Sequence, residues 1–354
     1  MSVAISYYAM YRRIITPILS LLGQESSHKL FLNTVGITQR IPIWKHIVRW
    51  THRYESPALT RELFGLQFKN PIGLAAGFDT NAEYIDELSN FGFSFIEIGS
   101  VSPAAQEGAQ KPRVVRSMPD LTLVTKLGIR NKGVSNAISN LQKSRHSVII
   151  CGSVIPNASS HKDDDIINDY KKCFSLLYDF VDILTINVSC PNENGVQTLQ
   201  DKNAVSEVLE PLIDLRMCYD SYKPILIKVS PDIPYEQLDE ILDYCMMSGI
   251  DGIIAGNYMR MTSELKTALS KNSVPKSGFI SGAPVYEKSL ALVKHIHEHT
   301  KGRFPIIGCG GILTPEQGKE MLESGASLIQ LYSGIVFNST KLVKKTLKAI
   351  APKQ

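Results

Sequence analysis

The feature that most constrains this chain is an alternation repeated along most of its length. Short, continuous Ile/Val/Leu-rich runs are each followed by a segment of amphipathic character. The runs are NPIGLAAG (70–77), FSFIEIGS (93–100), SVIICGSV (147–154), DILTINVS (182–189), PILIKVS (224–230), IDGIIAGN (250–257), FPIIGCGG (304–311) and ASLIQLYS (326–333). Apolar runs without a two-residue alternation mark strands buried on both faces, as in parallel sheets covered by helices. Segments such as EYIDELSNF, EQLDEILDYCMMSG and PEQGKEMLESG lie between them and have helical spacing. Eight such units predict a (β/α)8 TIM barrel, whose chemistry sits where the strands end. The alternative is an open doubly wound sheet, but no run is followed by the Gly-rich dinucleotide fingerprint.

A length of 354 residues suits one such barrel with an added segment, and 44% apolar against 20% charged residues provides a sizeable core. The net charge of +4, without a dense Lys/Arg block, gives no footprint for nucleic acid. Cys151, Cys173, Cys190, Cys218, Cys245 and Cys309 show no Cys-x-x-Cys pair and no metal-ligand spacing with histidine, so we expect a reducing compartment and no metal.

The rhythm changes near Glu55. Residues 1–54 read as a helical extension and 55–354 as the barrel. The extension carries three apolar-plus-basic patches: ISYYAMYRRIITPILSLL, SHKLFLNTVGI and IWKHIVRWTHRY. Pro17 is expected to kink or restart the first helix, and the pair Ser26/Ser27 is a candidate cap for the second. Arg12 and Arg13 interrupt the most apolar stretch, so no run reaches the ~20 residues of a membrane span, and no signal-peptide cleavage site clearly follows. Two readings of the extension stand: a helical lid on the barrel, or a hairpin on a membrane surface with its basic residues at the headgroups.

The strand ends carry the candidate chemistry. They bring together Gly77, Asp79, Thr80, Gly99, Ser100, Ser153, Asn187, Ser189, Cys190, Asn192, Lys228, Asn257, Gly310, Gly311, Tyr332 and Ser333, without a carboxylate pair or a His/Cys metal set. Glycines after the seventh strand and a hydroxyl after the eighth suit a phosphate held by backbone N–H groups, although glycines also serve tight turns. A lysine ending a buried strand is costly if unpaired, so Lys228 is expected to face a ligand rather than point to the surface.

At these residues the chain resembles the dihydroorotate dehydrogenases, specifically the membrane-associated, quinone-dependent class. LAAGFD (74–79), IEIGSVSP (96–103), KPRVVR (111–116), INVSCPN (186–192), IKVSPD (227–232), SGAP (281–284), PIIGCGGI (305–312) and ASLIQLYSG (326–334) match in order and spacing, and YRRIITPILSLLGQESSHKLF (11–31) is similar to the family's quinone-tunnel helices. The resemblance implies FMN as cofactor, dihydroorotate and orotate as substrate and product, a lipophilic quinone as acceptor, and peripheral contact with a membrane. Lacking an Arg/Ser-rich presequence, the chain is expected at the cytoplasmic face of a bacterial inner membrane rather than in mitochondria.

Matched by position, the implied flavin contacts are Ala76, Gly77, Thr80, Ser100, Ser153, Asn187, Lys228, Gly256, Gly282, Gly311, Tyr332 and Ser333. The implied substrate contacts are Thr125, Leu127, Gly128, Ile129, Arg130, Asn187, Asn192, Asn257 and Tyr258, and His28, Arg116 and Tyr332 line the implied quinone tunnel. Cys190 stands where the family's base takes a proton from C5 of dihydroorotate while hydride leaves C6. The quinone class normally has serine there. A thiol of pKa ~8.5 is nonetheless the better base at neutral pH, and a buried structural cysteine is the alternative.

The chain departs from the family mainly around the ligand. Thr80 replaces a lysine that anchors the substrate carboxylate, Thr125 and Ser153 replace asparagines, Tyr258 replaces threonine and Phe279 replaces glycine. Arg130 is expected to take over as the carboxylate anchor. The departures leave two functional readings: an active quinone-dependent dehydrogenase with a remodelled pocket, or a paralogue that keeps the barrel, with or without FMN, and is inactive on dihydroorotate or acts on another substrate.

Overall fold

The computed structural model describes residues 23–126, 128–189, 202–262 and 278–352. Each of the eight apolar runs contains a strand: β1 Ile72–Leu74, β2 Phe95–Val101, β3 Ile149–Val154, β4 Ile183–Asn187, β5 Ile225–Val229, β6 Gly252–Ala255, β7 Ile306–Cys309 and β8 Leu328–Leu331. They pair in parallel in sequential order, and β8 closes on β1. The helices are α1 Gln24–Thr38, α2 Pro42–His52, α3 Ile85–Leu88, α4 Val134–Leu141, α5 Asp163–Leu177, α6 Lys202–Arg216, α7 Tyr235–Ser248, α8 Tyr286–His299, α9 Pro315–Glu323, α10 Ser333–Asn338 and α11 Lys341–Ile350.

Strand parity divides the core into two compartments. Ile72, Leu74, Ile96, Ile98, Leu184, Ile186, Ile225, Ile227 and Ile329 belong to the large cluster shared with the surrounding helices. Their neighbours Ala75, Phe95, Cys151, Ile183, Leu226, Ile254, Ile307, Cys309 and Leu328 fill the barrel. Because side chains alternate along a strand, Glu97, Ser153, Thr185, Asn187, Lys228 and Gln330 share the parity of the interior set. The polar residues hidden in the apolar runs thus point into the barrel. Phe68, from a hairpin of Arg61–Leu63 with Leu66–Phe68, packs edge-on against Phe95 with ring centroids 5.5 Å apart and plugs the end where the strands begin. A Cβ on Gly73 would meet the Phe95 ring at 2.3 Å, so only glycine leaves room for that plug.

A four-stranded antiparallel sheet lies among the loops beyond the strand ends, in the order Met259–Arg260, Phe279–Gly282, Thr122–Thr125, Val114–Ser117. Phe279 pairs with Thr125, placing two of the chain's departures side by side in it.

The helices before the barrel are docked on it. α1 buries Ser27, Leu32, Val35 and Gly36. Ser26 and Ser27 do not cap this helix: it begins at Gln24 after Gly23, and the Ser27 hydroxyl donates to the Gly23 carbonyl at 2.5 Å. α2 is strongly amphipathic in sequence, yet none of its residues is buried. Arg49 and His52 tie it down. Arg49 donates to the Asn90 side chain at 2.6 Å, and His52 packs edge-on against Phe91 and shares a hydrogen bond with the Thr340 hydroxyl at 3.0 Å. Pro17 lies outside the described residues. Among the described residues no helix is long and apolar enough to cross a membrane.

Candidate active site

The site grows from the inward parity of the last strand residues. Lys228, ending β5, and Glu97, in the middle of β2, form a 2.7 Å ion pair with 4% and 0% of their side chains exposed. Burial works against the Lys228 ammonium, but the charges around it, Glu97 first, outweigh that cost and hold its pKa above the ordinary lysine value. The same Glu97 oxygen accepts the backbone N–H of Ala76 at 3.1 Å, which fastens the loop after β1 to the lysine. Lys228 therefore has a protein partner that the sequence reading did not identify. The signal was present: a carboxylate inside an apolar run, at the parity of the barrel interior.

Beside Lys228 lies a narrow cavity lined by Ala75, Ala76, Lys228, Asn257, Tyr258, Ser281, Cys309, Gly310, Gly311, Ile312, Gln330, Tyr332 and Ser333. Several buried polar atoms at or beside the cavity have no hydrogen-bond partner among the described residues: both atoms of the Gln330 amide, the Ser281 hydroxyl and the second oxygen of Glu97. Buried polar groups are normally satisfied, so this set fits a ligand with several ring nitrogens and oxygens. Gln330 and Ser281 are further site residues that sequence reasoning missed.

Backbone shape at the strand ends is set by glycines. Gly310 and Gly311 have φ of +120° and +70°, and a Cβ on Gly311 would lie 2.5 Å from the Tyr286 nitrogen. Gly256, at φ +116°, is also required by space, since its Cβ would lie 1.8 Å from the Cys309 carbonyl oxygen. Close approach of the chain segments after β6 and at β7 demands it.

A hydroxyl–amide network spans the ends of β2, β3, β4 and β6. The Ser153 and Ser100 hydroxyls lie 2.7 Å apart, and the Asn187 amide donates to Ser100 at 2.9 Å. The Asn187 carbonyl accepts from the Ser189 hydroxyl at 3.0 Å, and Asn257 donates to that hydroxyl at 2.8 Å. Ser153, standing where the resemblance expects asparagine, is satisfied through Ser100. Asn187 and Asn257 are thus held as one unit. Tyr258 also faces the cavity, and its hydroxyl lies 3.6 Å from where a Cβ on Gly77 would be. Thr80 contributes its backbone carbonyl, which accepts from the Gly99 N–H at 3.1 Å. Gly282, at φ +103°, packs its Cα against the Leu121 carbonyl.

The described residues of the candidate substrate loop, Thr125 and 128–130, are not among those lining the cavity. Thr125 is buried in the antiparallel sheet, paired with Val114 and Phe279, and Ile129 is buried while Gly128 has φ +63°. Arg130 points elsewhere: 52% exposed, it pairs with Glu25 in the first turn of α1 at 3.3 Å. In this arrangement the guanidinium is engaged by the N-terminal helix and is not among the described residues that line the cavity. Leu127, Cys190 and Asn192 lie outside the described residues.

An aromatic chain leads from α1 to the cavity. The His28 ring meets Phe78 edge-on at 4.7 Å, and Phe78 meets Tyr332 at 5.6 Å. His28 Nε2 is 2.8 Å from the Phe78 carbonyl. Burial, then the Arg116 and Arg130 charges, lower the His28 pKa, although its bond to Phe78 opposes them. Burial pushes the Tyr332 hydroxyl up to about 12. Both groups are neutral at physiological pH.

Residues 58–353 match the sequence profile of the family described as dihydroorotate dehydrogenase. The chain belongs to that family. A relative named dihydroorotate dehydrogenase (quinone) from Christiangramia forsetii is 36% identical over 97% of this chain and 99% of its own length. One of the same name from Psychrobacter is 34% identical over 97% of each chain, and one from Acinetobacter baumannii 33% identical over 94% of this chain and 98% of its own. Among solved structures, ligand-free DHODH from Eimeria tenella superposes with a TM-score of 0.77 at 24% identity, covering 86% of this chain and 92% of that one. The ferulenol complex of the same protein gives 0.75 at 23% identity over 89% and 90%. These two establish the fold alone. The dihydroorotate dehydrogenase match spans the whole barrel of this chain. Among the described residues no group of His, Cys, Asp and Glu has the arrangement of a metal site.

Proposed function

We propose that the protein oxidises dihydroorotate to orotate, using bound FMN and passing the electrons to a lipophilic quinone at a membrane surface. The observation that carries this reading is the strand-end cavity. It combines the buried Lys228–Glu97 pair with the partnerless Gln330 and Ser281 groups, beside an aromatic chain that reaches α1. The names of the relatives agree with it.

The polar groups that lack partners suit the edge of an isoalloxazine ring, with Lys228 supplying a fixed positive charge against its electron-rich atoms. The backbone at Gly310–Gly311 and Tyr332–Ser333 suits the phosphate, and Ala76, Gly77, Ser100 and Ser153 would border the ring. When bound, the flavin supplies the hydride-accepting chemistry. The remaining roles belong to the chain. Cys190 takes the proton from C5 of dihydroorotate. Asn187, Asn192 and Asn257 hold the substrate's ring and carboxylate through neutral amides, since Thr80 brings no charge and Arg130 is paired with Glu25. Asn187 keeps one amide hydrogen for the substrate after bonding Ser100, and the Ser189 hydroxyl fixes the orientation of both amides.

Residues 1–54 form the acceptor's entrance, with His28 and Arg116 beside its path to Tyr332. His28 and Tyr332, both neutral, line a route suited to an uncharged quinone. The exposed apolar residues of α2 rest on the membrane, which we place as the inner membrane of a bacterium at its cytoplasmic face. A barrel kept only as a scaffold is the weaker reading, because it leaves the buried polar set of the cavity without a purpose. The test is a visible spectrum of the purified protein followed by anaerobic addition of dihydroorotate. The expected result is a yellow protein whose flavin absorbance bleaches. Colourless protein that does not take up FMN, or flavin that dihydroorotate leaves unbleached, overturns the proposal.

A further inference from the structure

A second cleft lies on the outside of the barrel, where the proposed dehydrogenase chemistry has no use for it. α11 packs inward through Leu342, Val343, Thr346 and Leu347. The same helical spacing puts Lys341, Lys344, Lys345 and Lys348 together on its other face. With Trp50 and Thr51 of α2, these four lysines line a cleft of about 440 Å³ that opens to solvent. Neither helix contains an aspartate or glutamate, and α2 adds Lys45 and Arg49. The cleft is built rather than accidental: the Lys344 ammonium donates to the Trp50 and Thr51 carbonyls, both at 3.1 Å, and so holds the C-terminal end of α2 against α11.

Crowding of cations is visible in the electrostatics. The pKa values of Lys344 and Lys345 lie below the ordinary lysine value, through burial first and then through the charges of neighbouring lysines. An anion seated among them would relieve that repulsion.

What borders the cleft identifies the anion's source. Trp50, 81% exposed, belongs to a stripe with Ile43 and Ile47 at helical spacing, flanked by the exposed Trp44. Ile37 and Ile41 continue the apolar surface toward α1. A free phosphate or a nucleic acid would satisfy the lysines and leave these side chains in water. A bilayer surface satisfies both, because indole and aliphatic groups enter the headgroup boundary while ammonium groups meet lipid phosphates. We propose that the cleft between α2 and α11 seats the phosphate headgroups of an anionic bilayer, with Ile43, Trp44, Ile47 and Trp50 inserted beside it. The C-terminal helix is then part of the membrane face. This rests on the membrane contact proposed above and adds to it a requirement for lipid charge and the lysines that impose it.

The test is co-sedimentation of the full-length flavoprotein with vesicles of phosphatidylcholine alone, or with one third phosphatidylglycerol. Basic residues near an anionic surface contribute about fivefold each to partitioning. The protein is expected to bind anionic vesicles at least ~10-fold better than neutral ones, and to lose the preference at high salt. Changing all four lysines to glutamine should reduce anionic binding by on the order of 100-fold, whereas changing them to arginine should preserve it. Because Lys344 also holds α2, Lys341→Gln with Lys348→Gln is the second variant; it leaves that contact intact and should lose on the order of 10-fold.

Anionic binding undiminished in either glutamine variant overturns the proposal. So does displacement from vesicles by inorganic phosphate beyond that caused by chloride at equal ionic strength, which would make this a site for a soluble anion. Bleaching of the flavin by dihydroorotate, without vesicles, is read on the same preparations. Bleaching retained by variants that no longer bind supports the proposal. Absence of bleaching in the unmodified protein refutes the dehydrogenase reading and leaves the vesicle comparison to stand by itself.

Discussion

Glu97→Gln keeps the size of the side chain and removes the only charge hydrogen-bonded to Lys228 within the described residues. Breaking a buried ion pair by neutralising one partner costs ~3–5 kcal/mol, because the other charge remains desolvated. The glutamine oxygen can still accept from Ala76 N–H or from Lys228, which places the cost at the lower end, about 3 kcal/mol. For 354 residues the unfolding entropy is ~0.7 kcal/mol/K, so the melting temperature should fall by roughly 4 °C.

The pH dependence supplies a second reading of the same change. In the unmodified protein the folded Lys228 pKa is raised. Its stabilising contribution is therefore complete below the ordinary lysine value of ~10.4 and is lost only as pH rises through the higher folded value. In the variant, burial is no longer opposed by Glu97 and the folded pKa falls below the unfolded one. The unfolded state then binds the extra proton, and the variant gains stability as pH rises from about 7 to 9, narrowing the gap in melting temperature. Thermal unfolding of both flavin-saturated proteins across that range checks the argument. A difference under ~1 °C that does not vary with pH would refute it, since no buried ammonium left without its counter-charge is that cheap.

Cys190→Ala should retain flavin and slow its reduction by dihydroorotate by ~10²-fold or more in single-turnover bleaching, the loss expected of a positioned base; undiminished bleaching would remove Cys190 from the mechanism. Arg130→Ala should leave the KM for dihydroorotate within about twofold, because an exposed pair such as Glu25–Arg130 is worth ~0–1 kcal/mol and its partner lies on α1. Deleting residues 1–54 should leave a folded, flavin-loaded barrel that reduces a long-chain quinone poorly, and quinone reduction equal to that of the intact protein would refute the entrance role. Burial holds the His52 pKa down to about 4, so the stability it contributes is present above its unfolded value of ~6.5 and is lost as pH falls from there toward 4. Protection of the α2 amides, taken relative to their intrinsic exchange rates at each pH, should accordingly fall as pH drops from 7 to 5 in the unmodified protein and stay flat in His52→Gln.

The barrel was legible from sequence because burial on both faces leaves a strong one-dimensional mark. Runs such as ILTIN and ILIKV have no other economical explanation, and each became a strand. Cavity residues that interrupt those runs, Asn187 and Lys228, were legible for the same reason: a polar group in an apolar run needs a partner. What sequence could not supply was the partner's identity. Glu97 and Lys228 are 131 residues apart and meet only because closing the barrel turns inward parity on one strand toward inward parity on another. Arg130 shows the converse. Its position in a ligand loop suggested a ligand, and tertiary packing brought Glu25 of α1 within 3.3 Å instead. The lysines of α11 could be read as a charged face from their spacing alone, but their cleft required α2 to dock beside them. Local periodicity is written in neighbouring residues, whereas the pairing of charges is decided by which distant elements the closed barrel and its docked helices bring into contact.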